Sequence, residues 1–139
     1  MRRGRRLAVT GVVATIAAAA LNAVLAAVAR SAGVGLEVSG GETIPVSGIA
    51  FVTAVLSLAG LVIAAALLRW SRHPVQWWLR ITVALTAVSL VPPFVAAADT
   101  STALTLVALH LVAAAVVIPA VARALPYDVA LPVGHLATR

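Results

Sequence analysis

Four long apolar stretches constrain the fold of this chain more than any other feature of its sequence. They are residues 7–29, 49–68, 81–98 and 103–122. Each holds roughly 18 to 23 residues, enough for a helix rising 1.5 Å per residue to cross a hydrocarbon core of about 30 Å. A backbone in hydrocarbon must satisfy its own hydrogen bonds, and stretches of this length do so as helices rather than barrel strands. The sequence therefore predicts an all-α membrane protein, a four-helix transmembrane bundle in a single domain.

The composition fits a chain that is dissolved in lipid. Hydrophobic residues make up 63% of the 139 residues and charged residues 10%, whereas a soluble domain has roughly a quarter charged residues. Cysteine is absent, which excludes disulfides, thiol redox chemistry and thiolate metal sites. The net charge of +6 comes from arginine, since the chain has no lysine. Because these arginines border the apolar stretches, they indicate topology rather than binding to nucleic acid.

Most arginines lie before the first span, between the second and third spans, or after the fourth. These are Arg2, Arg3, Arg5, Arg6, Arg69, Arg72, Arg80, Arg123 and Arg139. The positive-inside rule therefore places both termini, the loop 69–80 and the tail 123–139 in the cytoplasm, as in a multi-pass protein of the plasma membrane. We expect Trp70, Trp77 and Trp78 to anchor the 69–80 loop at the inner interface.

A cleavable signal peptide is the alternative interpretation of the first span. The basic start MRRGRR precedes an apolar run that ends in Ala27-Val28-Ala29, a pattern that resembles a small-residue cleavage site. However, the apolar run has about 23 residues, whereas a signal-peptide core has roughly 7 to 15. We therefore interpret this stretch as a membrane span.

The outer loop, residues 30–48, is the only sizeable polar segment of the sequence. Val34, Leu36 and Val38 alternate, and Ser39-Gly40-Gly41 is typical of a turn. This pattern fits a small β-hairpin that covers the bundle. It is equally compatible with an irregular loop.

The few polar side chains inside the spans lie on stripes of small residues. On the first span, for example, Asn22 has Ala18 and Ala26 four residues to either side, and such faces are used by helices that pack on each other in lipid. Counted by helical rise, several of these polar side chains come near the middle of the bilayer. The predicted polar cluster consists of Asn22, Thr53, Ser57, Ser89 and His110.

His110 is an ionisable side chain in the middle of the fourth span. Pro92 and Pro93 leave the carbonyls of Val88 and Ser89 without their helical donors, and a neutral histidine has one N–H to donate. His110 is therefore expected to satisfy one of these carbonyls. In the alternative interpretation it binds a ligand or relays a proton, although no carboxylate accompanies it inside any span.

At the outer rim, Asp99 is expected to cap the fourth helix and to approach Arg30. An exposed ion pair of this kind contributes only about 0–1 kcal/mol. His73 and His135 lie far from His110 in depth, so the sequence predicts no metal site and no cofactor. It contains no phosphate-binding loop, nucleophile elbow or paired carboxylates, so no catalytic residue is expected.

Four motifs occur in order along nearly the whole chain. They are AALNAVLAAVAR in the first span, LRWSRHP at the end of the second, SLVPPF in the third and LHLVAAAVVIPAVARALP in the fourth. Together they resemble a family of small, uncharacterised four-helix membrane proteins of high-GC Gram-positive bacteria. The resemblance implies the same four-helix fold. It marks Asn22, Pro93, His110 and Pro119 as pattern positions without giving them a role.

These features predict a non-enzymatic membrane protein, an envelope or assembly component. Its expected partners are the lipid bilayer and either a second copy of the chain or another membrane protein. The alternative is a small transporter or ligand-binding protein with an outward-facing polar cavity around His110. A membrane enzyme would have His110 as its only buried titrating group, whereas general acid–base chemistry usually needs a second positioned partner.

Overall fold

The computed structural model describes residues 2–126, most of which are helical. The helices are α1 (Arg2–Ser31), α2 (Val46–Trp70), α3 (Pro74–Ser89), α4 (Val91–Ala96) and α5 (Thr100–Ala124). Because α4 follows α3 directly, these residues form four helical segments that are long and apolar enough to cross a membrane. The predicted four-helix, all-α membrane fold is therefore confirmed. The greater part of the predicted tail 123–139 lies outside the described residues.

Helix α1 is the most closely packed helix of the bundle. It lies against α2 and α5, and α3 lies against the same two helices. Within the described chain α1 and α3 do not contact each other. The buried face of α1 consists mainly of small side chains, which let helix backbones approach closely. At Gly11 the approach is so close that an added Cβ would lie 2.9 Å from Cδ2 of Leu61.

The bundle has two ends that differ in charge. The arginine end is the one formed by the start of α1, the α2–α3 turn at residues 71–73 and the end of α5. The loop end is formed by the α1–α2 connection, residues 32–45, and the α4–α5 connection, residues 97–99. Each end has its own apolar core, one around Trp78 and the other around Leu36.

The α2–α3 turn is much shorter than the predicted loop 69–80. Helix α2 continues to Trp70 and α3 begins at Pro74, a favourable first position because proline has no N–H to leave unpaired. Trp70 and Trp77 are 79% and 49% exposed, whereas Trp78 is only 1% exposed. Trp78 is therefore a core residue rather than the interface anchor predicted for it. Its indole N–H donates to the carbonyl of Ile118 at 3.0 Å.

The third segment is broken at Leu90 rather than continuous. Helix α3 ends at Ser89, the backbone N–H of Leu90 donates to the carbonyl of Thr86 at 3.2 Å, and α4 restarts at Val91. The break is explained by Pro92, which has no N–H and whose ring clashes with a continuous helix.

The loop end is closed by a small hairpin-like structure. Glu37 and Thr43 form an isolated antiparallel bridge, and the N–H of Gly41 donates to the carbonyl of Val38 at 2.8 Å across the predicted turn. Val38 also bridges Ala97 in the α4–α5 connection. Residues 2–126 contain these bridges but no β-strand. The turn was predictable, whereas its pairing with the α4–α5 connection was not.

Candidate functional site

Asn22 connects three helices in the middle of the bundle. It is 2% exposed, and its Nδ2 donates to Oγ1 of Thr53 on α2 and to the carbonyl of Leu109 on α5, both at 3.1 Å. In sequence along α1, Asn22 lies between Ala18 of the arginine-end core and Ala26 of the loop-end core. The structure therefore places a polar layer between the two apolar cores.

The orientation of the Asn22 amide follows from its partners. The Thr53 hydroxyl donates to the carbonyl of Ile49 at 2.8 Å, so its oxygen can only accept from Asn22. The carbonyl of Leu109 is also an acceptor, and only the NH₂ group of the amide can satisfy both. The carbonyl oxygen Oδ1 of Asn22 is buried and has no hydrogen-bond partner among residues 2–126.

Thr15 is a buried polar residue that sequence reasoning missed. Its Oγ1 has no hydrogen-bond partner among the described residues. The signal for its burial was present, because Leu7, Gly11 and Thr15 follow each other at intervals of four residues. All three are buried on the α1 face that packs on α2 and α5.

The remaining members of the predicted polar cluster are not joined to Asn22 by hydrogen bonds. Ser57 is buried one turn along α2 from Thr53. The Ser89 hydroxyl donates to the carbonyl of Thr86 in its own helix at 2.8 Å. His110 follows Leu109 and is half-buried, and its imidazole makes no hydrogen bond within residues 2–126. The structure thus joins Asn22 to Thr53 and leaves Ser57, Ser89 and His110 without a hydrogen bond to either of them.

The hydrogen bond predicted between His110 and the carbonyls freed by the prolines is not formed. No described side chain donates to the carbonyl of Val88 or of Ser89. The physical reason lies in the packing of the helices, because Val88 is 69% exposed and the last turn of α3 therefore lies at the surface of the bundle.

At the loop end, Asp99 caps α5 as predicted. Its carboxylate accepts from the Thr102 N–H at 2.9 Å, from the Thr102 hydroxyl at 2.8 Å and from the Ser101 hydroxyl. These hydrogen bonds, that from Ser101 first, lower the pKa of Asp99 to about 2. The predicted pairing with Arg30 is not formed. Arg30 is exposed at the end of α1, while the Asp99 carboxylate binds its own helix.

Two clefts lie side by side at the arginine end. The first has a volume of about 510 Å³ and is lined by Arg3 and Gly4 of α1 and by Ser71, Arg72 and Pro74 of the α2–α3 turn, together with Leu68 and Pro126. The second has a volume of about 380 Å³ and is lined by Ile63, Ala66, Leu67, Trp70, Ser71 and Trp77. Neither cleft includes a residue of the predicted polar cluster.

The clefts were not predicted, because arginines that border apolar stretches indicate topology and not a cleft. Nothing in the sequence pairs Arg3 with Arg72, which lie on different segments. Within residues 2–126, no three His, Cys, Asp or Glu side chains are placed so that they could hold a metal ion.

Comparison with known protein families gives a match over nearly the whole chain. A model described as a family of unknown function, DUF6069, matches residues 2–127. No curated protein and no solved structure gives a significant match.

Proposed function

We propose that this chain, which belongs to DUF6069, a family of unknown function, is a non-enzymatic component of a membrane or envelope assembly. In this proposal it is a multi-pass protein of the plasma membrane with both termini in the cytoplasm. The arginine end faces the cytoplasm, in accordance with the positive-inside rule. Its partner is an apolar membrane helix of another subunit.

The main support for this proposal is that the buried Asn22 amide binds neighbouring helices. The Asn22 amide binds Thr53 and the Leu109 carbonyl, so its N–H groups hold helices together and are not free to bind a substrate. At the loop end Leu36 is 0% exposed and packs with Ala26, Ile49 and Leu109. A closed loop end supports a structural role over an outward-opening binding cavity.

The second half of α3 is the surface on which a partner helix is expected. No side chain from residue 83 to residue 89 is buried, and the large apolar side chains Val83, Leu85 and Val88 are exposed. Ala84 and Ala87 are exposed between them, and small residues are what closely packed membrane helices place at their contacts. Helix α1, by contrast, already buries its face of small residues against α2 and α5.

Cysteine cross-linking in native membranes tests the assembly proposal. The chain has no cysteine of its own, so Val83→Cys and Val88→Cys each introduce a single thiol on α3. The matched controls are Val13→Cys and Val24→Cys, which are similarly exposed on α1. Cross-linked adducts larger than the monomer are expected from α3 and not from α1. An absence of α3 adducts, or equal adducts from both helices, would contradict the proposal.

Thiol labelling tests the topology separately. A Cβ added at Gly4 or at Gly40 would meet no atom within 4 Å, so cysteine fits at both positions. A membrane-impermeant maleimide should label Gly40→Cys in intact cells and Gly4→Cys only after permeabilisation. Labelling of both in intact cells would place the two ends on the same side and exclude the proposed threading.

A further inference from the structure

We propose that the arginine end binds an anionic phospholipid. The phosphate of the lipid headgroup occupies the cleft beside Arg3 and Arg72, and an acyl chain follows the adjoining cleft beside Trp70 and Trp77. We call these the headgroup cleft and the chain cleft. This site is independent of the assembly proposed above.

The headgroup cleft has the chemistry of a phosphate site. Arg3 and Arg72 are among the residues that line it, and an arginine guanidinium has a planar fork of N–H donors that suits phosphate oxygens. Ser71 adds a hydroxyl. Because Oγ of Ser71 accepts from the N–H of His73 at 3.2 Å, its own O–H remains available to donate.

The charge distribution favours an anion at this end of the bundle. Within residues 2–126 the carboxylates are Glu37, Glu42 and Asp99, and all three lie at the loop end. Among the described residues, the carboxylates and the arginines of the headgroup cleft therefore lie at opposite ends of the bundle. Basic clefts between membrane helices at the cytoplasmic side are typical binding sites for anionic lipid headgroups.

The chain cleft distinguishes a lipid from a free phosphate. Apart from Ser71, its lining residues are apolar or aromatic, and Ser71 is shared with the headgroup cleft. Trp70 and Trp77 frame it, and tryptophan is the residue that membrane proteins place at the level of the headgroups. The guanidinium carbon of Arg80 lies 5.7 Å from the centre of the Trp77 ring. This cation–π contact helps to hold the ring beside the chain cleft. A polar cleft that continues into an apolar one fits an amphiphile.

The headgroup cleft also lies where the bundle lacks direct packing. Its walls come from the start of α1, at Arg3 and Gly4, and from the start of α3, at Pro74. These two helices do not contact each other within the described chain. A phosphate held by Arg3 and Arg72 therefore joins α1 to the α2–α3 turn.

Native mass spectrometry of the full chain in detergent tests the site. The probes are phosphatidylglycerol and phosphatidylcholine with identical acyl chains, titrated separately. We expect preferential binding of phosphatidylglycerol. The double variant Arg3→Gln/Arg72→Gln should weaken this binding by roughly thirtyfold, because each arginine near an anionic group contributes roughly a factor of five.

The matched control is Arg5→Gln/Arg69→Gln. It removes the same charge from α1 and α2, but neither residue lines a cleft, and Arg5 lies about 200° around the helix from Arg3. We expect the control to weaken binding less than threefold. An equal loss in both double variants would show general charge attraction and overturn the proposal. Equal binding of the two lipids by the unchanged chain would also overturn it.

Tryptophan quenching tests the acyl-chain half of the proposal. Phosphatidylglycerol with brominated chains should quench Trp70 and Trp77 more strongly than brominated phosphatidylcholine at the same mole fraction in liposomes. The preference should disappear in Arg3→Gln/Arg72→Gln. Glycerol 3-phosphate and inorganic phosphate serve as competitors in detergent. Displacement of the lipid by either one at equal concentration would identify free phosphate as the ligand and exclude the lipid.

Discussion

Replacement of Asn22 tests whether its amide holds α1 to α2 and α5. Asn22→Ala removes both interhelical hydrogen bonds, whereas Thr53→Val removes one of them and preserves the side-chain shape. Measured hydrogen bonds between membrane helices contribute about 0.6 kcal/mol on average and about 1.7 kcal/mol at most. The two bonds of Asn22 should therefore contribute about 1–3 kcal/mol. Loss of the unpaired Oδ1 in Asn22→Ala offsets part of this cost.

A double-mutant cycle separates the Asn22–Thr53 bond from these other effects. The free energies of unfolding of Asn22→Ala, Thr53→Val and the double variant should give a coupling of about 0.6 kcal/mol, with about 1.7 kcal/mol as the upper bound. The control cycle combines Asn22→Ala with Thr82→Val. Thr82 is also buried, but its hydroxyl donates to the carbonyl of Trp78 in its own helix at 2.7 Å. We expect this second cycle to be additive to within about 0.3–0.5 kcal/mol.

Reversible unfolding in mixed detergent micelles, followed by circular dichroism at increasing sodium dodecyl sulfate, provides the free energies. The same coupling in both cycles would mean that Asn22 and Thr53 do not interact specifically. A coupling near zero for Asn22 with Thr53 would refute the reasoning. A positive result would identify the polar layer as a determinant of stability.

Substitutions at three further positions have defined outcomes. Leu36→Ala should cost about 2–5 kcal/mol of unfolding free energy, because the side chain is fully buried. Leu36→Gly should not lower the free energy of unfolding further than Leu36→Ala does, because glycine adopts the φ of +52° without strain. Asp99→Ala should lower the Tm in micelles at pH 7. The cap stabilises fully above the ordinary pKa of 3.8 and loses its effect as pH falls through about 2, so the two Tm values should converge in acid. Trp78→Phe removes the donor to Ile118, which contributes about 0.6–1.7 kcal/mol, and its smaller ring leaves a cavity in the core, so the total cost in the same unfolding assay should exceed that of the hydrogen bond alone.

The spans were predictable because the length of an apolar stretch is a direct consequence of bilayer thickness. All four predicted spans lie within or overlap the observed helical segments. Hydropathy reports length but not the rotation of a helix about its axis. Trp77 and Trp78 show this limit, because neighbouring residues point about 100° apart and only Trp78 faces the core. Packing between helices decides that orientation.

The candidate site was predictable where the partners lie on regular helical faces. Asn22 and Thr53 belong to stripes of small residues, and the structure joins them. The cap at Asp99 follows from local chain geometry alone. His110 was harder to place, because its predicted partners lie on another helix and depend on how the two helices are rotated against each other. The arginine-end clefts depend on contacts between distant segments, and no local pattern encodes such contacts.

The connections cover the two ends of the bundle to different extents, and the lengths of these connections explain the difference. The connection of residues 32–45 is long enough to fold back, bury Leu36 and pair with Ala97. The α2–α3 turn spans only residues 71–73. A turn of that length reverses the chain but cannot also cover the space between α1 and α3. Within residues 2–126 the arginine end therefore leaves a cleft lined by arginines beside an apolar one, and an anionic lipid from the surrounding bilayer has the chemistry to fill both.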